Sequence, residues 1–153
     1  MTHIVYEKTE CIDHVLRPMV EKAACMLPPW LHRLIVSVDE GGMLEDEDAA
    51  VQVNYTYRWA RVCIGGPWIT RPPVDQWETI LHEFVHISAH PAADAARRAI
   101  CGLPDRMQAM HDGDFQRALE STVEDLANRL VDLLGPPPPP LPRARINLSL
   151  LHI

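Results

Sequence analysis

Three side chains within one short stretch have the types and the spacing that metal-dependent hydrolysis requires. His82 and His86 are four residues apart, and Glu83 directly follows the first histidine. On an α-helix, residues i and i+4 share a face, so both imidazoles can bind the same cation. Glu83 would lie beside the ion, where it can take a proton from a water molecule bound there. The spacing therefore predicts a divalent-metal site, for which zinc is the best match.

The residues around this motif predict that it lies on a largely buried helix. Five of the neighbouring residues are apolar: Ile80, Leu81, Phe84, Val85 and Ile87. A buried helix rarely carries two histidines and a glutamate without a compensating partner, which favours a metal over a chance polar face. We expect the helix to cover about 76–88, with Asp75 as N-cap, Glu78 completing a capping box, and Pro91 beyond its end.

A catalytic zinc usually takes three protein ligands, so the sequence should hold one more. The favoured candidate is Glu120, on a predicted final helix over 115–134 that Asp114 would cap and Gly135 would end. Glu124, one turn further on, could instead hydrogen-bond a ligating imidazole. Other candidates stay open for the third ligand: His111, Glu124 itself, His90 and Asp94.

The remaining pattern predicts an α+β fold with a small antiparallel or mixed sheet packed on the histidine-bearing helix. A helix is expected over about 9–27, capped by Thr9, and a strand over 34–39. The pattern over 51–64 predicts two strands, and apolar and polar residues alternate in the first of them through residue 59. The acidic stretch 40–48 is predicted to be a solvated loop. A short helix over 92–100 and breaks at 102–104 and 112–113 complete the chain.

Length and composition predict one domain over 1–135, followed by a proline-rich linker and tail over 136–153. Six prolines in 136–142 indicate polyproline II, and 143–153 could be a strand or disordered. The net charge of -7 argues against nucleic acid as the main partner. No signal peptide or membrane-spanning run is visible, so the cytoplasm is the expected compartment. The four cysteines are expected to be free and mostly buried.

The motif His82-Glu83-x-x-His86, followed by Glu120-x-x-x-Glu124, resembles the zincin metallopeptidases. Among the zincins, the motif looks like that of the gluzincin branch, whose small members include the minigluzincins, the ImmA-type proteases and phage-encoded metallopeptidases. The resemblance implies a zincin-like fold and peptide-bond hydrolysis by a zinc-bound water that Glu83 activates. It also implies Zn²⁺ held by His82, His86 and Glu120, a peptide or protein substrate, and a strand from 51–64 at the rim of the cleft. Glu124 departs from the Asp or Asn usual at that position.

Other interpretations of the same residues stay open. His111-Asp-Gly-Asp-Phe115 resembles the third-ligand motif of Spartan/SprT-type proteases, but with one inserted residue and in an acidic chain. The protein could also be a zincin-fold binding or regulatory module with little or no peptidase activity, or hold a structural zinc with four protein ligands. If it is an enzyme, the candidate donors to the oxyanion are Tyr55, Tyr57, Arg58 and His90.

Overall fold

A mixed four-stranded sheet with two long helices organises the computed structural model, which describes residues 1–142. The strands are β1 (His3–Glu7), β2 (Arg33–Val38), β3 (Ala49–Asn54) and β4 (Trp59–Ile64). The α-helices are α1 (Asp13–Ala23), α2 (Gly66–Thr70), α3 (Pro73–Cys101) and α4 (Asp105–Leu134), with a 3₁₀ turn over Ala24–Met26 after α1. The predicted α+β class with a small mixed sheet is confirmed.

The strand order β1-β2-β4-β3 places β3 at an edge of the sheet. β1 pairs in parallel with β2, and β2 in parallel with β4. β3 and β4 form an antiparallel hairpin in which Val51 lies opposite Val62. Because β3 pairs only with β4 among residues 1–142, its other side keeps unpaired backbone groups.

The hydrophobic core lies between one face of this sheet and the apolar sides of α1 and α3. In β4 the alternate residues Ala60, Val62 and Ile64 are buried, as a strand with one covered face requires. The largest side chains contributed by the helices are Leu16, Met19, Trp77, Ile80, Leu81, Phe84 and Ile87. Burying each of them stabilises the fold by about 1.5–3 kcal/mol, which is ample to hold α3 in one orientation.

Two differences from the predicted strands have local causes. β1 was not predicted, because a five-residue edge strand offers little periodicity. The first strand of the hairpin ends at Asn54 and does not reach residue 59. The Asn54 side chain accepts a hydrogen bond from the Tyr57 backbone at 3.0 Å, and Arg58 has a φ of 56°. An asparagine-initiated turn thus replaces the expected alternation.

Helix α3 is longer than predicted at both ends. It begins at Pro73 with Pro72 as N-cap, so the predicted capping box of Asp75 and Glu78 does not form. It also continues through Pro91 to Cys101, which merges the predicted helices 76–88 and 92–100. A proline inside a helix removes one backbone hydrogen bond. Here the packing of α3 against α4, where Ala93 is buried, offsets that loss.

Helix α4 is also continuous where a break was predicted. It runs through residues 112–113, so Asp114 lies inside the helix and not at its N-cap. A helical glycine costs only about 1 kcal/mol relative to alanine, which packing can offset. The break predicted at 102–104 is present, and α4 ends before Gly135, whose positive φ of 76° is one that glycine adopts without steric cost.

The first helix is shorter than expected, and the cysteines differ from the prediction in burial. α1 begins at Asp13 after Ile12, so Thr9 does not cap it; its hydroxyl donates to the Asp13 carboxylate. All four cysteines are free, as predicted, but none is buried. Three lie in turns or at helix ends, and Cys63 lies on the face of β4 opposite the core.

The chain after α4 runs back along α1. The Leu141 backbone donates a hydrogen bond to the His14 carbonyl at 2.7 Å, and Lys22 Nζ donates to the Pro136 carbonyl, also at 2.7 Å. The predicted strand or disordered tail over 143–153 lies outside the described residues. No helix within residues 1–142 is long and apolar enough to cross a membrane.

Candidate metal centre

Helix α3 presents two imidazoles side by side at its surface. His82 and His86 are one turn apart, their Nε2 atoms are 3.1 Å apart, and their ring centroids are 4.8 Å apart. The opposite side of the helix is fixed in the core by Ile80, Phe84 and Ile87, none of which is exposed. The apolar periodicity of α3 thus determines where the two histidines point.

Helix α4 brings a carboxylate to the same point. Glu120 Oε2 lies 3.3 Å from His86 Nε2 and 3.7 Å from His82 Nε2. α4 packs on α3 through the buried Val123 and Ala127. Three residues separate the two helices, so α4 returns along α3 and its middle faces the middle of its neighbour.

A hydrogen bond at the beginning of α3 helps to hold the two helices in this alignment. Trp77 Nε1 donates to the Gly135 carbonyl at 3.1 Å, which ties the end of α4 to the beginning of α3. The Trp77 side chain is fully buried, so breaking this bond would also leave its N–H unsatisfied. The facing positions of Glu120 and the histidines therefore also depend on this contact between the beginning of α3 and the end of α4.

The spacing of these three donor atoms fits a tetrahedral cation. Ligands about 2.0–2.1 Å from a tetrahedral zinc lie about 3.3 Å from one another. The three distances here are 3.1, 3.3 and 3.7 Å. Two imidazoles and one carboxylate form a ligand set that suits zinc. No fourth His, Cys, Asp or Glu of residues 1–142 joins this group.

The environment of His82 favours the neutral imidazole that a metal requires. Burial lowers the pKa of His82, and the neighbouring His86 lowers it further, while Glu120 and Glu124 act in the opposite direction. A neutral imidazole keeps a lone pair free for coordination, so less proton competition opposes metal binding at neutral pH.

Glu83 lies on the buried side of the same helical turn. It is only 7% exposed, and no hydrogen bond from the described residues stabilises its carboxylate. Burial raises the pKa of Glu83 to about 7, and the nearby charges of Glu120 and Glu47 raise it in the same direction. A carboxylate with this pKa can both accept and return a proton near neutral pH.

Gln116 orients the Glu120 carboxylate and was not among the predicted site residues. Gln116 Nε2 donates to Glu120 Oε1 at 2.8 Å, which leaves Oε2 facing the histidines. Arg97 Nη2 in turn donates to Gln116 Oε1 at 3.2 Å, so α3 also supports this arrangement. The i, i+4 spacing of Gln116 and Glu120 was the available signal, but a glutamine one turn before a glutamate is common on solvated helices.

A groove of about 620 Å³ opens beside His82 and Glu83. It lies along the first half of α3, with Glu124 of α4 on one side and residues 47–49 on the other. The 47–49 segment packs tightly on the end of β4, because a Cβ on Gly65 would be 2.1 Å from the Glu47 carbonyl oxygen. The Gly65 backbone also donates to the Asp48 carbonyl at 2.8 Å. Gly65 thus allows the wall of the groove to form.

The other candidates for the third ligand lie elsewhere. Glu124 lines the groove with His82 but is not within the cluster of metal-binding atoms, and no hydrogen bond joins it to an imidazole. His111 lies in an apolar pocket with Ile100 and Phe115. His90 lines a cavity next to His86. Asp94 forms an ion pair with Arg98 on the surface of α3.

The candidate oxyanion donors are spread over two regions. Tyr55 packs edge-on against Trp30 at 5.0 Å, Tyr57 is exposed, and Arg58 Nη1 is 3.2 Å from His32 Nε2. All three belong to the β3–β4 turn and line neither cavity beside the histidines. Of the four candidates, only His90 shares a cavity with one of the histidines.

Comparisons of this chain with protein-family models, curated proteins and solved structures found no match. The function must therefore be inferred from the chemistry of the site.

Proposed function

We propose that this protein is a zinc-dependent metallopeptidase in which His82, His86 and Glu120 hold the metal and Glu83 is the general base. The observation that carries the proposal is the convergence of two imidazole nitrogens and a carboxylate oxygen within 4.8 Å of one another. The two histidines are only four residues apart, but Glu120 comes from another helix, so the convergence does not follow from local spacing. A solvated polar helix face would not require it.

Zinc held by this set would supply Lewis-acid chemistry: it would polarise a peptide carbonyl and make a water in its open position acidic near pH 7. Glu83 would take the proton from that water and return it to the departing amine nitrogen. Its burial beside the donor cluster and its pKa of about 7 support both transfers. Because the carboxylate has no competing hydrogen bond among the described residues, it is free to hold the proton between the two steps.

The edge strand β3 supports a peptide as the substrate. Ala49, at the start of β3, lines the groove that contains His82, and Val51 and Val53 line the cavity that contains His86. The strand thus runs past both sides of the candidate metal centre. An extended peptide could pair with its free backbone groups and place one peptide bond at the donor cluster.

A zincin-like fold is part of the same proposal. It is supported by three features together: a histidine-bearing helix under a mixed sheet, an antiparallel edge strand beside it, and a ligand-bearing second helix. This likeness concerns the arrangement of elements, and the activity is argued from the side chains.

The test measures zinc content and peptide hydrolysis on the same preparations. We expect one zinc per chain in the wild type, retained in Glu83→Gln and lost in His86→Ala. Hydrolysis of a fluorogenic peptide library should fall by at least about 100-fold in Glu83→Gln, in line with loss of a general base. Glu10→Gln, the same change at an exposed position before α1, should keep full activity.

Two results would contradict the proposal. A wild-type protein that binds zinc but cleaves nothing in the library would indicate a binding or regulatory module. Equal hydrolysis by the wild type and Glu83→Gln would show that this carboxylate is not the base. A crystal structure with an anomalous zinc signal would also reveal whether a fourth protein ligand closes the site.

A further inference from the structure

We propose that the groove beside the metal centre selects substrates with a lysine or arginine within about three residues of the cleaved peptide bond. This inference rests on the proposed function, because the function places the cleaved bond at His82. It goes further in naming the chemical class of the substrate. The observations that carry it are the charges along the groove and the direction in which the groove extends.

Carboxylates dominate the lining of the groove. Four of them have no salt-bridge partner among residues 1–142: Glu47, Asp75, Glu78 and Glu124. Among the described residues, the only cationic side chain in the lining is Arg71, whose Nε donates to both oxygens of Asp48 at 3.0 and 3.1 Å. That pair neutralises itself, so the groove keeps an excess of negative charge that a cationic side chain would neutralise.

A second feature points to a ligand in this groove. Glu83 lines it as well, although the residue is only 7% exposed and no described residue donates a hydrogen bond to it. A carboxylate that lines a groove and has no protein donor can accept hydrogen bonds from whatever occupies the groove. The acidic lining therefore belongs to a cavity that already contains an unpartnered functional side chain.

The arrangement fits an extended cationic peptide better than a second metal ion. Among residues 1–142, only His82, His86 and Glu120 converge closely enough to share a cation. The free carboxylates are instead spread along the groove. From Asp75 to His82, α3 rises by about 10 Å, which is seven steps of about 1.5 Å. An extended peptide covers that distance in about three residues.

The charge is confined to one side of the metal centre. The cavity on the other side, next to His86, has a volume of about 280 Å³ and contains no carboxylate. Its lining combines apolar side chains of β3 and α4 with two further basic groups, His90 and Arg97. A peptide lying across both cavities would thus meet negative charge on one side only. This asymmetry predicts a preference at particular positions and not for basic peptides in general.

The experiment measures binding without turnover, using the zinc-loaded Glu83→Gln protein. Fluorescence anisotropy is recorded for blocked, labelled octapeptides that differ at one position, which carries Lys, norleucine or Glu. Separate sets of peptides place this variable residue at each position of the octapeptide. At the best position the Lys peptide should bind about tenfold more tightly than the Glu peptide, and 0.5 M NaCl should reduce the difference.

Two double variants in the same background locate the effect. Asp75→Asn/Glu78→Gln removes two carboxylates of the groove and should lower the Lys-over-Glu preference to about threefold or less. Asp125→Asn/Asp132→Asn makes the same change in net charge at exposed positions of α4 outside the groove, and should keep the preference. The peptide that binds best is then offered to the wild-type enzyme, which should cleave it within three residues of the Lys.

The outcomes separate this inference from the proposed function. Equal affinity for Lys and Glu peptides at every position, no measurable binding of any Lys peptide, or a preference unchanged in Asp75→Asn/Glu78→Gln would each overturn the inference. Hydrolysis by the wild type without charge preference would do so while leaving the peptidase function in place. A position-dependent preference for Lys without any hydrolysis would support the groove and refute the peptidase function.

Discussion

Replacing the proposed general base should make the metal-free protein more stable. Glu83 is almost completely buried, and its pKa is raised from the ordinary 4.5 to about 7. The folded state therefore disfavours the ionised carboxylate, while the unfolded chain does not. Glutamine has nearly the same shape and carries no charge at any pH, so Glu83→Gln removes this penalty.

The free-energy penalty of the buried Glu83 carboxylate increases with pH. Because the pKa of Glu83 is higher in the folded state, the wild type loses stability as pH rises from about 4.5 to 7. At pH 8 the loss is about 3 kcal/mol, from about 1.4 kcal/mol for each pH unit between the two values. At pH 5 it is about 1 kcal/mol. The stability advantage of Glu83→Gln should therefore grow with pH.

The measurement is urea denaturation of chelator-treated wild type and Glu83→Gln at pH 5 and pH 8. Glu78→Gln is the matched control, since it makes the same change at an exposed position of the same helix. The stability of the control should stay within about 0.5 kcal/mol of the wild type at both pH values. Equal stability of wild type and Glu83→Gln at pH 8, or an advantage that shrinks as pH rises, would refute the reasoning.

Three further predictions concern the support of the site. Gln116→Leu removes the donor to Glu120 Oε1 and should weaken zinc binding about tenfold in a chelator competition assay; unchanged affinity would show that Gln116 does not position the ligand. Gly65→Ala places a Cβ against the Glu47 carbonyl and should cost about 1–3 kcal/mol in urea denaturation, whereas an unchanged midpoint would contradict the close approach. Zinc at 100 times its dissociation constant should stabilise the wild type by about 2.7 kcal/mol but not His86→Ala, and a shift of equal size in both would place the zinc elsewhere.

Helix α3 shows how much structure the local sequence pattern can predict. The spacing of His82, Glu83 and His86, together with the apolar residues between them, predicts a helix with both imidazoles on one face, and α3 has that form. The same local rules failed at Pro91 and at residues 112–113, where both helices continue. Pro91 removes one backbone hydrogen bond and Gly113 adds a small entropic cost, and the long contact between α3 and α4 outweighs both.

The choice among the candidate third ligands illustrates what the local sequence pattern cannot decide. Glu120, Glu124 and His111 all have suitable donor atoms, and sequence spacing ranks them only weakly. The structure separates them, because the register of α4 on α3 places Glu120 opposite the histidines and leaves Glu124 in the groove. That register depends on Val123 and Ala127 packing against α3 and on the bond from Trp77 to Gly135.

The amino-acid sequence by itself determined the helical turn that carries the two histidines, the α+β class and the end of α4 at Gly135, because each follows from interactions between near neighbours in the chain. Tertiary structure alone decided which acidic residue faces the histidines, that Gln116 orients it, and that carboxylates from separate segments line one groove. These features depend on how α4 and residues 47–48 pack against α3. Such packing is set by the fit of side chains that are distant in sequence, which local periodicity does not encode.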